Sequence, residues 1–370
     1  MRPFWLQQAL DQEQDALCPP LSADIRCDVC IVGGGYTGLW TALMIKEQAP
    51  QLEGGLIEAD ICGAGASGRN GGCALSWSAK YFTLERLFGA AEAVRLVRES
   101  ERSIAAIGEY CAANGIYCDY RMDGTLYTAS NAAQLGGTDA VIAALARQGI
   151  NSFERLALEQ VQQRAGSARH LEGWFSPAAA TVQPGRLVRG LRRVALQRGV
   201  RIYEGTAMTS LEHGAPAQVR TAHATVRADR VVLGLNAWMA RAFPQFERSV
   251  AIVSSDMVIT EPCPELLDEI GLDSGISVLD SRIFVHYYHN TSDGRLMLGK
   301  GGNTFAYGGR MLPVFDQPSP YQPLLRQTLD DFFPALAEVP IAASWNGPSD
   351  RSVTGLPFFG RLDGQDNVFY

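Results

Sequence analysis

The sequence predicts an α/β protein: a Rossmann-like dinucleotide-binding domain joined to a second, α+β domain that carries an antiparallel sheet. Three observations lead there. A strand, a glycine turn and a helix follow one another over residues 28–48, an acidic residue closes a second strand soon after, and past Pro244 strand-like runs alternate with Pro, Gly and Asp. At 370 residues the chain exceeds the size at which one hydrophobic core stops growing, so two domains are expected.

The first unit is the most explicit. Asp28 to Val32 is a short apolar run suited to a buried parallel strand, Gly33-x-Gly35-x-x-Gly38 follows at once, and Leu39 to Gln48 reads as a helix closed by Pro50. Each glycine has a reason. Gly33 permits the tight turn, Gly35 lets backbone approach a diphosphate, and Gly38 lets helix pack on strand, while Tyr36 and Thr37 open a helix whose free N–H groups face the anion. Gly55 to Ala59 reads as the second strand, and Glu58, with Ala59 beside it, lies about 20 residues past Gly38, where an acid accepts a hydrogen bond from a ribose hydroxyl. NAD and FAD both use this fingerprint.

Composition excludes several classes. The net charge of -7 and pI near 5.4 argue against nucleic acid as a partner. No stretch approaches the ~18–20 apolar residues of a membrane span and the N-terminus lacks signal-peptide character, so a cytoplasmic location is expected. Eight scattered cysteines make no disulfide framework. Cys27 and Cys30 form a CxxC at the entry to a strand, where residues three apart point to opposite faces, so they are expected to be buried thiols with no metal.

A second glycine-rich stretch, Gly63-Ala64-Gly65-Ala66-Ser67-Gly68-Arg69-Asn70-Gly71-Gly72, holds five glycines in ten residues and must bend tightly or lie against something flat. Its polar members Ser67, Arg69 and Asn70 are suited to hydrogen-bond phosphates or a ring edge. Ser67-Gly68-Arg69-Asn70-Gly71-Gly72, placed shortly after a GxGxxG and its acid, resembles the flavin-contacting loop of the FAD-dependent amine oxidase family. That family includes D-amino acid oxidase, glycine oxidase and sarcosine oxidase, and the likeness is strongest to its gamma-glutamylputrescine oxidoreductase branch. It runs from about residue 28 to the end. The resemblance implies FAD rather than NAD, and no cysteine matches a covalent flavin attachment, so the FAD is expected to be non-covalent.

Further along, residues 90–114 read as an amphipathic helix with Val94, Val97, Ile104, Ile107 and Cys111 among its apolar positions. Thr181 to Gly185 leads into a helix through Leu187, Leu191, Val194 and Leu196, then a strand at 200–204 and a turn to Met208. Arg230 to Trp238 reads as a buried strand running into a small-residue turn. The resemblance implies that this part returns to the dinucleotide domain, with Met208 covering the adenine and Asn236 and Ala237 reaching the cofactor. The expected division is a discontinuous FAD-binding domain, 1–90, 165–240 and 341–370, and a substrate domain, 91–164 and 241–340.

In the second domain, strand-like runs fall at 250–259, 276–288 and 295–299. Read as one strand, Asp280 to Tyr288 places Arg282, Phe284, His286 and Tyr288 on one face and Ile283, Val285, Tyr287 and His289 on the other. The resemblance implies that this strand roofs the substrate pocket over the flavin, and the face bearing Arg282 is the expected substrate face.

The chemistry implied is oxidation of a small-molecule amine by hydride transfer to flavin N5, with no need for a Ser-His-Asp or metal pattern, and none is found. Three departures narrow it. Where α-amino-acid oxidising relatives carry W-x-G-x-R to grip the α-carboxylate, Trp345-Asn346-Gly347-Pro348 is followed by Ser349, with Arg351 the next arginine along. A polyamine or a γ-glutamylated diamine is therefore expected. The lysine that sarcosine oxidases place near the flavin is Met297 here, with Lys300 just beyond, which leaves the electron acceptor open between oxygen and a quinone or protein. Finally, Tyr370 precedes the family's last flavin-facing loop, so either the sequence is a fragment or part of the flavin site is lost, and a truncated, catalytically silent dinucleotide-binding protein is the third reading.

Overall fold

A computed structural model describes residues 1–370 and contains two large sheets and a small two-stranded one. The first large sheet runs Arg201–Tyr203, Gly54–Ile57, Ile25–Val32, Thr225–Leu233, Ala217–Arg220, Ser210–Glu212, with Val368–Phe369 also pairing on Thr225–Leu233. Its first four strands and Val368–Phe369 are parallel, and the other two close it as antiparallel hairpins. Parallel strands need cover on both faces, which is why they read as continuous apolar runs. Helices Tyr36–Gln48 and Pro184–Gln197 bring Leu39, Leu43, Leu187, Leu191 and Val194 onto Val29, Ile31 and Leu56. The opposite face, with Cys30, Val32, Ile57 and Leu233, closes on Val219, Met239 and Phe246. Pro184 starts its helix at a position where a missing N–H costs nothing, and the Gln183 side chain caps the Arg186 amide at 2.6 Å.

One expectation fails in the first strand. Cys27 sits with Cys30 and Val32, away from Val29 and Ile31. The amides of Asp28 and Val29 both donate to the Glu53 carbonyl, at 3.0 and 3.2 Å, and this local slip of the ladder brings Cys27 to the same side as Cys30. Both thiols are buried and free.

The second sheet has eight strands in the order Ile341–Ser352, Val250–Thr260, Leu296–Ala306, His286–Asn290, Ser277–Asp280, Thr125–Ala129, Glu172–Ser176, Glu154–Arg155. All pairs are antiparallel except Ser277–Asp280 with Thr125–Ala129. Two of these strands, Glu172–Ser176 and Ile341–Ser352, come from segments expected to lie in the dinucleotide domain. One face buries Val258, Val278, Tyr288 and Leu298 under Leu325, Leu329 and Phe332 of helix Gln322–Phe332. The other face turns toward Gly71 and Gly72.

The segment 280–288 is a hairpin rather than one strand. Ser277–Asp280 and His286–Asn290 pair with each other, Val278 opposite Tyr288, and residues 281–285 form the turn between them. Strand alternation therefore does not apply to Arg282 and Phe284. The expected helix over 90–114 is present as Ala90–Ala113, whereas helix Phe4–Gln12, which buries Trp5 and Leu6, is unforeseen by the sequence reading. No helix is long and apolar enough to cross a membrane.

Candidate functional site

The first glycine turn is cramped by backbone. Gly33 has φ +112°, and a Cβ there would lie 2.5 Å from the Gly234 carbonyl oxygen; one on Gly38 would lie 1.9 Å from the carbonyl oxygen of Gly33. No side chain caps the helix that Gly35 opens, so first-turn amides remain available, together with the positive end of the helix. Tyr36 spends its amide on Ser67 Oγ, 2.8 Å away, and its hydroxyl donates to the Pro184 carbonyl at 3.0 Å, while Thr37 is exposed. Glu58 stands at the end of the second strand, accepting from the amides of Gly34 at 2.7 Å and Asp60 at 3.0 Å. Burial pushes its carboxyl up, and these two amides pull it back. Each carboxylate oxygen keeps a lone pair for a ribose hydroxyl. A cradle closed to any Cβ, uncapped amides and an acid at the strand end fit a dinucleotide.

Around this turn, Ala59 and Asn236 are exposed, Met208 is half-buried, and Ala237 is buried against Ile252 and Phe315. Asn236 adopts φ +48° and its side-chain amide donates to Asp350 at 2.8 Å, tying the first sheet to the second.

The second turn is held by other parts of the molecule. Arg69, expected to meet phosphate or a ring edge, has its guanidinium committed to protein: Nε donates to the Ala64 carbonyl at 2.8 Å, Nη1 to the carbonyls of Phe315 and Asn346, and Nη2 to Asp316 at 2.9 Å. The Trp345 indole returns a bond to the Arg69 carbonyl at 2.8 Å. Asn70 closes the turn on itself, donating to the Ser67 carbonyl and accepting from the Gly72 amide, both at 2.9 Å. A Cβ on Gly68 would meet the Gly63 carbonyl oxygen at 2.4 Å, and one on Gly71 the Tyr287 ring at 2.2 Å. His289 reaches the Gly71 carbonyl through Nε2 at 2.8 Å. Burial holds this histidine at about 4, against the opposing pull of the Asn290 and Gly71 carbonyls, to both of which only the protonated ring can donate at once.

Beneath the start of that turn lies a buried quartet of two acids and two arginines. Arg189 bonds Glu13 at 2.6 Å and Glu204 at 2.8 Å, and Arg192 bonds the same two at 3.2 and 3.1 Å. Burial works against the charge on Glu204, yet the amides of Cys62 and Cys18, then Arg189 and Arg192, outweigh it and hold the carboxyl below its usual range. Since Cys62 leads into Gly63, the N-terminal segment and helix Pro184–Gln197 together fix where the loop begins. Sequence reading missed this set, because its members are scattered from residue 13 to residue 204.

The four residues expected on one substrate face are divided. Tyr288 points into the helix-covered core, its hydroxyl 2.7 Å from both His170 Nε2 and the Ala165 carbonyl. His286 is on the same side of the sheet and contacts Arg282 and Asp280. Arg282 and Phe284 belong to the turn. The residues brought to Gly71 and Gly72 are those of the opposite set, Tyr287 and His289. Their cross-strand neighbours form a continuous row, Trp345, Met257, Gly299, Tyr287, Leu279, Tyr127 and Trp174. The Tyr287 hydroxyl pairs with Ser255 Oγ at 2.9 Å, and burial keeps its proton on by pushing its pKa up. The sequence signal for the turn is Asp280-Ser281, turn-forming residues inside an apparent strand, and no local pattern tells which of the two faces meets Gly71.

Two glycine turns converging on one helix N-terminus, under a second sheet that turns an aromatic row toward them, mark a dinucleotide-binding protein of mixed α/β fold. The chain belongs to the FAD dependent oxidoreductase (DAO) family, whose profile matches residues 28–370, and FAD is its cofactor. It is 31% identical over 352 residues to gamma-glutamylputrescine oxidoreductase of Escherichia coli (strain K12), across 95% of this chain and 79% of that one. It is 28% identical over 349 residues to the probable oxidoreductase OrdL of Rhizobium meliloti (strain 1021), across 92% and 77%. Among solved structures, glycine oxidase from Geobacillus kaustophilus superposes with a TM-score of 0.74 at 20% identity, over 93% of this chain and 88% of that one. L-proline dehydrogenase from P. horikoshii gives 0.70 at 15% identity, over 95% and 87%. These two likenesses concern the fold.

Proposed function

We propose that this chain oxidises a primary or secondary amine, a polyamine or a γ-glutamylated diamine rather than an α-amino acid. The observation that carries this reading is the edge strand Ile341–Ser352. Four residues past the pinned indole of Trp345, it offers Ser349 opposite Val253, a hydroxyl where a bidentate grip on an α-carboxylate needs a guanidinium. The name of the Escherichia coli relative, gamma-glutamylputrescine oxidoreductase, agrees with such a substrate.

Bound FAD supplies the acceptor for the hydride at N5. The first turn, with Gly33, Gly35, Gly38 and Glu58, would hold its diphosphate and ribose, and the Ser67–Gly72 turn would lie along the ring. This chain's remaining task is to orient the amine and exclude water. Tyr287 and Ser255 offer hydroxyls at the Gly71 end of the face, and the half-buried Tyr287 keeps its proton, so it positions by hydrogen bonding rather than acting as a base. Met257, Met297 and Trp345, all buried, keep that end dry. Tyr127 and Trp174 end the row, Tyr127 against Phe153 and Trp174 with the Arg155 guanidinium already over its ring, so the amine is placed at the Tyr287 end. In this reading the whole eight-stranded sheet, Ile341–Ser352 included, is the substrate half.

Oxygen is the acceptor we infer first. A dehydrogenase passing electrons to a quinone or a protein is the second reading, favoured by Met297, which is fully buried among Trp5, Met257, Ile259 and Trp345 and so puts no cation at that point of the face. Anaerobic mixing of the flavoprotein with a panel of amines tests the substrate. Polyamines or γ-glutamylated diamines are expected to bleach the flavin faster than glycine, alanine or sarcosine, and preferred reduction by a small α-amino acid would overturn the reading. Reoxidation by air against an artificial dye separates the acceptors.

A further inference from the structure

We propose that Arg351, stacked on Phe284, is an anchor for a carboxylate at the far end of the amine substrate. This rests on the amine reading above and narrows it to amines bearing a remote acid, such as an ω-amino acid or a γ-glutamyl amide.

The first ground is that Arg351 has no acidic partner. Its one hydrogen bond, Nη1 to the Ile283 carbonyl at 3.4 Å, is at the edge of a bonding distance, which leaves most of five N–H donors free. Its sequence neighbour Asp350 is engaged with Asn236 at 2.8 Å. The other cations near the 281–285 turn are occupied. Arg282 binds Asp280 at 3.1 Å and contacts His286, while Lys300 donates to the Gly301 carbonyl at 3.1 Å and to Asn303 at 2.9 Å.

The second ground is that the guanidinium is held in place without being neutralised. It lies over the Phe284 ring, 4.9 Å from the centroid. That ring is fixed in turn: a Cβ on Gly302 would lie 2.3 Å from it, and Phe305 meets it edge-on with centroids 5.6 Å apart. A half-buried arginine fixed on an aromatic platform with an unfilled fork matches a planar carboxylate.

Position then sets the class of ligand. Tyr287 packs on Gly299, whereas Phe284 packs on Gly301 and Gly302. These contact points are one two-residue step apart along the same strand, about 7 Å. A carboxylate held by Arg351 is therefore several bonds from a carbon positioned beside Tyr287, too far for an α-carboxylate. A polyamine would instead bring a second cation against Arg351, a repulsive contact.

The test uses the flavoprotein and two matched amines, 5-aminopentanoate and 1-aminopentane, with Arg351→Gln and Arg351→Lys variants. Anaerobic flavin reduction gives a dissociation constant and a limiting rate for each. For Arg351→Gln we expect binding of 5-aminopentanoate to weaken about tenfold or more, its limiting rate to hold within about twofold, and 1-aminopentane to be unaffected. Arg351→Lys should restore part of the loss. Equal weakening of both amines, or tighter wild-type binding of 1-aminopentane, would overturn the anchor. If neither amine reduces the flavin, the amine reading fails on its own. Glutarate, which cannot react, then decides the anchor: it should perturb the flavin absorbance or raise the melting temperature of the wild type but not of Arg351→Gln, and no response in the wild type sinks the proposal.

Discussion

The two glycine-rich turns are both too tight for a side chain, but different things make them so. Around Gly33 and Gly38 the obstacles are backbone carbonyls, that of Gly234 at the end of the neighbouring strand and that of Gly33 itself. Around Gly71 the obstacle is the Tyr287 ring, and Arg69, beside it, is tied to residues 315, 316 and 346. The first turn is held by backbone of its own sheet, Gly234 included. The second is shaped by the Tyr287 ring and by residues 315, 316 and 346, which belong to or pack on the other sheet, so its geometry reports on the docking of the two sheets.

The largest expected effect tests the first half of that contrast. Gly38→Ala drives a methyl into a carbonyl that cannot swing aside, so a loss of more than about 3 kcal/mol or failure to fold is expected, with no flavin retained on purification. No single side-chain truncation should restore it. Gly71→Ala meets a side chain instead, and about 1–3 kcal/mol is expected. Here truncation should help: Tyr287→Ala in the same chain is expected to recover much of the FAD affinity lost by Gly71→Ala, measured by equilibrium dialysis. If Tyr287→Ala rescued Gly38→Ala equally well, the distinction between the turns would be wrong.

The same contrast governs what was legible in the sequence. Gly33, Gly35, Gly38 and Glu58 announce themselves because strand, turn, helix and acid must arrive at fixed spacing, and the structure places them at one helix N-terminus. Ser67 to Gly72 were legible as a tight bend, but Arg69 was not legible as a structural brace, since its partners at Phe315, Asp316 and Asn346 share no local pattern with it. In the second sheet the error came from choosing between two faces. Treating 280–288 as one strand hides a turn of five residues, which takes Arg282 and Phe284 out of the ladder but, being an odd number, leaves His286 to His289 in the alternation read from the sequence. Tyr288 lies in the core and Tyr287 faces Gly71 because the helix Gln322–Phe332 covers the face expected to hold the site. Helix Phe4–Gln12 and the Glu13, Arg189, Arg192, Glu204 quartet were invisible for the reason that conceals most long-range contacts: nothing near Glu13 in sequence says that two arginines await it.

The smallest effect follows from the clip that only the second turn possesses. His289 and, on the far side of the same sheet, His170 are both buried and held near 4, in each case by burial first. An unfolded histidine titrates near 6.5, so between about 6.5 and 4 the unfolded chain binds more protons than the folded one, and stability must fall as pH falls through that window. At pH 5.5 each histidine should cost about 1 kcal/mol relative to neutral pH, before Asp280 and Glu204, both held below their usual range, begin to titrate. Melting temperature against pH in the wild type, His289→Gln and His170→Gln checks this. Each variant should lose about half of the slope between pH 6.5 and 5. Only His289→Gln should also weaken FAD binding, because only that ring lies against the Gly71 carbonyl, and an equal loss in His170→Gln would mean that the sheet as a whole, rather than this one contact, positions the second turn.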